Sequence, residues 1–188
     1  MTTRWIFLML LIALGIQRLY ELRLSARNER RILESGGHEV APNQYRVMKV
    51  LHIAWFISML VEVFGLQRTF HPTLALIAGF VFVAGQVLRY AAIHTLRDRW
   101  TVRVLVLPGA APINRGIYHF IRHPNYLGVM LEICAVPLIY SAYLTAVVFS
   151  IANALLLTWR IRTEEAALKS HNNYEQIFAG RPRFIPKM

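Results

Sequence analysis

The sequence predicts an all-α integral membrane protein with five transmembrane helices, the last two forming a helical hairpin. Three observations lead there. Hydrophobic residues make up 56% of the 188 residues and charged residues only 16%, against about 25% charged in an ordinary soluble domain. The apolar residues are gathered into long runs of membrane-spanning length. The basic residues are distributed so that one side of a five-span map receives nearly all of them.

The spans follow in chain order. A crossing needs roughly 20 apolar residues. Residues 5–20 (WIFLMLLIALGIQRLY) form the first candidate. A cleaved signal peptide is the competing interpretation, but only Arg4 precedes the run and no A-x-A site follows it. Residues 47–66 and 73–93 form the second and third. Residues 127–159 hold no Lys or Arg and a single acid, Glu132. As one helix these 33 residues would run about 50 Å, too long for a hydrocarbon core of about 30 Å. Pro137 and the Tyr140-Ser141 pair lie near the middle, so two short legs at 126–139 and 143–160 are expected, joined by a tight turn. The whole chain, 1–188, reads as one membrane-embedded domain, with a C-terminal helix and tail over 161–188.

Lys and Arg number 21 against 10 Asp and Glu, a net charge of +11. Seventeen of the basic residues fall between the first and second spans, between the third and fourth, and after the fifth, counting Lys49 and Arg160 at the adjoining span ends. Five crossings put all three segments on one side, with Arg4 and Arg68 opposite, so the N-terminus is expected outside and the C-terminus in the cytoplasm. This distribution accounts for the charge without nucleic acid; anionic lipid headgroups are natural partners. The only cysteine, Cys134, excludes an intramolecular disulfide and a Cys-based zinc site, and no metal is expected.

Ionisable groups inside spans are functional candidates. Arg18 and Arg89 lie near cytoplasmic ends and can snorkel. Glu132 expects either a buried partner such as Arg89 or a ligand. Glu62 is expected at the outer interface, too far along the helix from His52 to pair with it. Gln86, Arg89, Tyr90 and Ile93 share one face of the third span, either lining a polar cavity or packing on a neighbour. Asn153, Arg160, Glu164 and Leu168 form a stripe along the last helix, with Arg160 and Glu164 placed for an i, i+4 pair.

Two segments are dense in reactive side chains. Residues 116–128 read G-I-Y-H-F-I-R-H-P-N-Y-L-G, where a loop enters the fourth span. Pro124 suits the first helical turn, and His123 or Asn125 is placed to cap it. Residues 160–168 read R-I-R-T-E-E-A-A-L, followed by Tyr174, Phe178 and R-P-R-F-I-P over 181–186. There is no G-x-G-x-x-G after a strand, which excludes a Rossmann nucleotide site.

Together these motifs resemble the isoprenylcysteine carboxyl methyltransferase family of integral-membrane methyltransferases, over residues 97–186. Phospholipid methyltransferases and membrane sterol reductases look similar at lower stringency. The resemblance implies a cytoplasmic pocket for S-adenosyl-L-methionine, bordered by Tyr118, His123, Pro124, Asn125, Tyr126 and Glu164, and more weakly by Arg103, Ala110, Ala111, Pro112 and Ile113. Glu164 suits the cofactor's ammonium, His123 or backbone N–H groups its carboxylate, and the faces of Tyr118 and Tyr126 its adenine or sulfonium methyl. Arg160 matches the substrate-side arginine and would hold an acceptor oxyanion; Glu165 is the candidate base for a neutral hydroxyl. The chain lacks room for the extra N-terminal spans of the eukaryotic enzymes and resembles the short prokaryotic branch, so a prokaryotic plasma membrane is expected. The implied function is methyl transfer to a carboxylate, phenolate or enolate oxygen of a lipophilic acceptor taken from the bilayer, either prenylcysteine-like or a polyketide-type lipid such as an alkylated pyrone. The alternatives are a phospholipid N-methyltransferase and an NADPH-dependent membrane reductase.

Overall fold

The first helix runs well past its apolar stretch. In the computed structural model, which describes residues 2–185, α1 spans Thr2–Glu34, about 50 Å. Pro186 of the tail motif and Lys187 lie outside the described residues. The sequence places a polar segment from Glu21 onward, yet residues 21–34 contain no Gly or Pro and are rich in Leu, Arg and Glu, all strong helix formers. The helix stops at Gly36 and Gly37; Gly36 has φ 88°. Along this extension Glu21, Ser25, Asn28 and Ile32 are buried. Asn28 Nδ2 donates to the carbonyls of Arg97 (3.0 Å) and Trp100 (2.8 Å), and Ser25 Oγ accepts from the Val102 amide at 2.8 Å. A loop some seventy residues away is thereby docked on α1.

Next come β1 (His38–Glu39), α2 (Pro42–Leu60, continued by a π turn over Val61–Gly65), α3 (Pro72–Leu96, continued by a 3₁₀ turn) and β2 (Leu105–Val106). β1 and β2 pair antiparallel, His38 opposite Val106. This small ribbon is a departure from an all-α chain: Val, Leu and Val at 104–106 favour extended backbone. After a 3₁₀ turn at Gly116–His119, α4 (Pro124–Ile139), α5 (Tyr143–His171) and the short α6 (Tyr174–Ile177) follow.

The long apolar run divides where its residues indicate. α4 ends beside Pro137, and the turn through Ser141 (φ 55°) is closed by the Ala142 amide donating to the Pro137 carbonyl at 2.9 Å. The second leg is longer than read from the sequence, because α5 continues 29 residues to His171. α1, α2 with its π turn, α3 and α5 are each long and apolar enough to cross a membrane, whereas α4 has 16 residues. Ile12, Ile16, Ile57, Phe80, Val147 and Leu155 are all exposed, an apolar girdle that a bilayer covers.

Inside, Phe7, Leu11, Trp55, Met59, Ile133 and Val136 build the core. Among them sit charges. Arg18 pairs with Glu21 at 2.7 Å and with Glu132; Arg89 pairs with Glu21 and, at 3.3 Å, with Glu132. The expected Arg89–Glu132 partnership is therefore half of a four-residue network joining α1, α3 and α4, and Arg18 is held in it instead of snorkelling. Of the third span's face, Arg89 is buried, Gln86 accepts from Gln17 at 2.9 Å and Tyr90 is exposed. Glu62 does not reach outward; its side chain is turned into the protein. It is 3% exposed, accepts from Arg68 (2.8 Å), and takes the Leu144 and Thr145 amides at 3.0 and 2.7 Å. It thus caps the N-terminus of α5, where a carboxylate meets the positive end of the helix dipole.

α3 and α4 pack backbone to backbone through two glycines. A Cβ on Gly128 would lie 2.7 Å from the Gly85 carbonyl oxygen and 2.6 Å from Arg89 Cγ. Gly128→Ala should destabilise the protein by about 1–3 kcal/mol, as overpacking does. Gly79→Ala, where a Cβ meets nothing within 4 Å, should leave the melt in detergent unchanged or raised. Equal melting of the two variants would refute the close contact.

Candidate functional site

A cavity of about 660 Å³ opens between α1, α2, the 96–113 loop, the start of α4 and the last turns of α5. That volume suits a cofactor-sized ligand. The G-x-Y segment brings in the first residue. Gly116 has φ 55°, and a Cβ there would meet Thr95 Oγ1 at 2.7 Å. Only glycine both adopts this turn and lets it seat on α3. The 3₁₀ turn then aims Tyr118 into the cavity. Burial first, then the nearby Glu164 charge, holds the Tyr118 hydroxyl well above the ordinary tyrosine range, so it stays protonated and able to donate.

Pro124 opens α4 at its first turn. His123 precedes the helix but makes no side-chain cap, and neither does Asn125; the expected capping is absent. The His123 ring instead stacks on Tyr126, centroids 5.4 Å apart and planes 23° from parallel. Tyr126 is the hub. Its hydroxyl donates to Glu164 and accepts from Arg160 Nε at 2.9 Å. The expected direct Arg160–Glu164 pair is thus replaced by a tyrosine bridge between them. Arg160 Nη2 donates to the Val102 carbonyl, while Nη1 is buried without a partner among the described residues. The stripe Asn153, Arg160, Glu164 and Leu168 lines the cavity along its length.

Glu165 requires a correction. It lies more than twenty residues into α5, past the length that crosses the hydrocarbon core, and on the side turned from the cavity. His123 Nε2 (3.0 Å), Arg122 (3.2 Å) and Arg183 (2.7 Å) converge on it. Burial works to raise its pKa, but the His123 and Arg183 hydrogen bonds and the Arg122 charge outweigh that and hold it down at about 2. So weak a base, facing the tail, cannot deprotonate a hydroxyl in the cavity. Its structural consequence is plain: Arg183 is anchored, and the tail lies against the R-H-P turn, with the Arg122 and His123 amides donating to the Pro182 and Arg183 carbonyls at 3.0 Å each.

The remaining candidates divide. Ala110, Pro112 and Ile113 line the cavity. Arg103 does not; it pairs with Glu39 at 2.8 Å and lies over the Tyr45 ring. Ala111 points elsewhere and its carbonyl accepts from Arg99 at 2.6 Å. Pro124 shapes the turn without lining the cavity. Sequence reasoning named Arg18 and His52 only as ionisable groups within spans and missed Glu21 and Trp100; all four are on the cavity wall. The i, i+3 spacing of Arg18 and Glu21 was the one available signal for Glu21.

Several buried polar atoms on lining residues have no hydrogen-bond partner among the described residues, including Arg160 Nη1, Asn125 Oδ1, Asn153 Oδ1, Asn172 Oδ1 and Trp100 Nε1. Orphaned groups of both kinds, donor and acceptor, fit a ligand that is itself polar and charged, as S-adenosyl-L-methionine is.

The Glu165 clamp makes a pH prediction. Its folded-state pKa, about 2, lies below the ordinary 4.5. Its stabilisation is therefore full above about 4.5 and is lost as pH falls toward 2. Limited proteolysis after Ile177 should be slow at pH 6 and accelerate through that window. Glu165→Gln should be cleaved at least several-fold faster at pH 6; unchanged protection would show that the clamp does not hold the tail.

A sequence model of the isoprenylcysteine carboxyl methyltransferase (ICMT) family matches residues 75–170. The chain is 36% identical to the uncharacterized protein YpbQ of Bacillus subtilis (strain 168) over 166 residues, 88% of this chain and 98% of that one. It is 29% identical to an uncharacterized protein of Haemophilus influenzae over 80% of this chain and 88% of the relative. Over 76 residues, 39% of this chain and 32% of the other, it is 32% identical to the protein-S-isoprenylcysteine O-methyltransferase of Schizosaccharomyces pombe. The solved eukaryotic intramembrane Ras methyltransferase ICMT superposes with a TM-score of 0.53 at 22% identity, covering 70% of this chain and 47% of that one. This chain thus spans about half the length of that structure, with which it shares a fold. With half the chain matched by one family's model and a relative aligned along nearly its whole length, the protein belongs to the isoprenylcysteine carboxyl methyltransferase family.

Proposed function

We propose that this protein is an S-adenosyl-L-methionine-dependent integral-membrane O-methyltransferase acting on an acidic oxygen of a lipophilic acceptor drawn from the bilayer. The whole chain acts as one domain. The observation that carries the reading is Arg160, hydrogen-bonded to Tyr126 and left with an unpartnered Nη1 in a large cavity.

The topology proposed is five crossings, N-terminus outside and C-terminus in the cytoplasm of a prokaryotic cell. Supporting it are the basic asymmetry and the helical hairpin. α4, at about 24 Å, is shorter than the hydrocarbon core. Its loop end therefore sits below the membrane surface, which brings His123 to Tyr126 close to the depth of a lipid's polar group.

When bound, the cofactor supplies a methyl group on a sulfonium cation. Glu164 offers its carboxylate to the ammonium while Tyr126 holds that carboxylate in place. Asn125, Asn172 and Trp100 offer hydrogen bonds to the cofactor's polar groups, and the Tyr118 ring offers it a π-face. Arg160 offers Nη1 to the acceptor oxyanion, its other nitrogens being fixed by Tyr126 and Val102, so the anion is held in one orientation at little entropic cost. With Glu165 clamped outside the cavity, Glu164 offered to the ammonium and Glu21 ion-paired, no carboxylate among the described residues is free to act as a base there. The acceptor must arrive already ionised, as a carboxylate, phenolate or enolate; a neutral alcohol is disfavoured.

Three experiments test this. Arg160→Lys keeps the charge but not the planar fork, and should retain cofactor binding while losing most methyl transfer; Arg160→Ala should lose more. Near-normal turnover of Arg160→Ala on an acidic lipid would refute the oxyanion role. Glu164→Gln should weaken S-adenosyl-L-methionine binding roughly 10–150-fold in calorimetry. The same protein heated with NADPH should gain no stability; stabilisation by NADPH alone would favour the reductase alternative. Cysteines placed near Arg4 and Arg68 should react with an impermeant reagent outside intact cells, and cysteines near Arg30 and Arg103 should not. Labelling at Arg103 would invert the map.

A further inference from the structure

The cavity continues past the Arg160–Tyr126–Glu164 group to a second polar level. Asn153 lies seven residues before Arg160 on α5, two turns along the same face and about 10 Å deeper. It lines the cavity, is 2% exposed, and its Oδ1 has no partner among the described residues. α2 meets α5 antiparallel, with Gln44 bonded to Thr163 at 2.8 Å and Ser58 to Thr145 at 2.9 Å. In that register His52 falls level with Asn153, and it too lines the cavity. His52 Nδ1 donates to the Met48 carbonyl at 2.8 Å. A neutral imidazole bonded in this way presents Nε2 as an acceptor. Two acceptors therefore lie at one depth, beside the Asn153 Nδ2 donor, among apolar neighbours that include Ile53, Phe56, Val129 and Leu157.

The charged groups near this level are Arg18, Glu21 and Arg89, with Glu132 behind them, and the exposed Lys49 one turn from His52 on α2. The two arginines face the two carboxylates and are ion-paired with them. The buried charges therefore balance, and the buried level itself does not call for a second anion. What is missing is a hydrogen-bond donor for Asn153 and His52. A plain prenyl or alkyl chain reaching this level would leave both acceptors unpaired, which costs free energy in a water-poor site.

We propose that the Asn153/His52 level is a specificity subsite for a hydroxyl on the apolar arm of the methyl acceptor, about 10 Å from the oxygen that Arg160 holds. This rests on the reading of the cavity as the acceptor's place, and it narrows the substrate class to lipids hydroxylated partway along their chain.

The test uses the full chain in lipid nanodiscs and a series of long-chain alkylphenols: plain, or hydroxylated next to the ring, at mid-chain or at the terminus. Binding is read by calorimetry, so turnover is not required. The mid-chain alcohol should bind about 10-fold or more tightly than the plain chain, the worth of one or two hydrogen bonds. Asn153→Leu and His52→Leu should each shrink that preference to a few-fold or less, while His52→Gln, which keeps an acceptor, should preserve most of it. Equal affinity across the wild-type series, absence of binding, or a preference untouched in both leucine variants would overturn the subsite. So would weaker S-adenosyl-L-methionine binding in Asn153→Leu, which would assign this level to the cofactor. Failure of a tightly bound mid-chain alcohol to be methylated would instead sink the O-methyltransferase reading and leave the subsite standing.

Discussion

Neutralising two arginines in an apolar interior is the constraint on which the rest of the structure depends. A charge deep in a membrane protein is tolerated only when paired. Arg18 on α1 and Arg89 on α3 achieve this by sharing Glu21 and Glu132, which come from α1 and α4. Removing one partner of such a pair typically costs 3–5 kcal/mol because the other is left uncompensated. The network therefore fixes three helices against one another where apolar packing alone would permit sliding. It also explains why α1 continues beyond its apolar stretch. Glu21 must stay helical to reach Arg89, and once the helix has continued that far, Ser25 and Asn28 fall on the same face and collect the backbone of the 97–102 loop.

The functional end of the molecule depends on a division between adjacent residues. Glu164 and Glu165 differ by about 100° around α5. One turns to the cavity, where Tyr126 couples it to Arg160; the other turns outward and gathers Arg122, His123 and Arg183. The R-H-P turn lies between the two, with its histidine ring stacked on Tyr126 and its Nε2 on Glu165. Tail attachment and cavity geometry are thus connected through one imidazole.

Much of this was legible in the sequence, for identifiable reasons. The split of 127–159 could be read because its excess length, Pro137 and Tyr140-Ser141 all indicate the same break. Asn153, Arg160, Glu164 and Leu168 could be placed on one face because helical periodicity is local information. The Glu21–Asn28 stripe could not, because its partners at Arg97, Trp100 and Val102 lie about seventy residues away and the stripe is polar, so no apolar rhythm announces burial. The partners of Glu62 were missed for a similar reason: a lone acid near a span end gives no sign that Leu144 and Thr145 lie beside it. Glu165 was given the wrong task because residue identity does not say which of two neighbouring carboxylates faces inward. The β1–β2 ribbon is two residues per strand, below the length at which alternation can be detected.

Glu62 also sets the mechanics of α5. It grips the first turn of that helix at Leu144 and Thr145, while Glu164 lies nineteen residues further on, about 28 Å along the axis. A rigid rod held at one end transmits tilt in proportion to its length, so each degree of rotation about the Glu62 grip moves Glu164 by about 0.5 Å over that 28 Å span. Two degrees would carry the reactive end of the helix about 1 Å, a displacement that in enzymes can cost on the order of 100-fold in rate. The alignment of the cavity is governed by a fulcrum at the opposite end of α5.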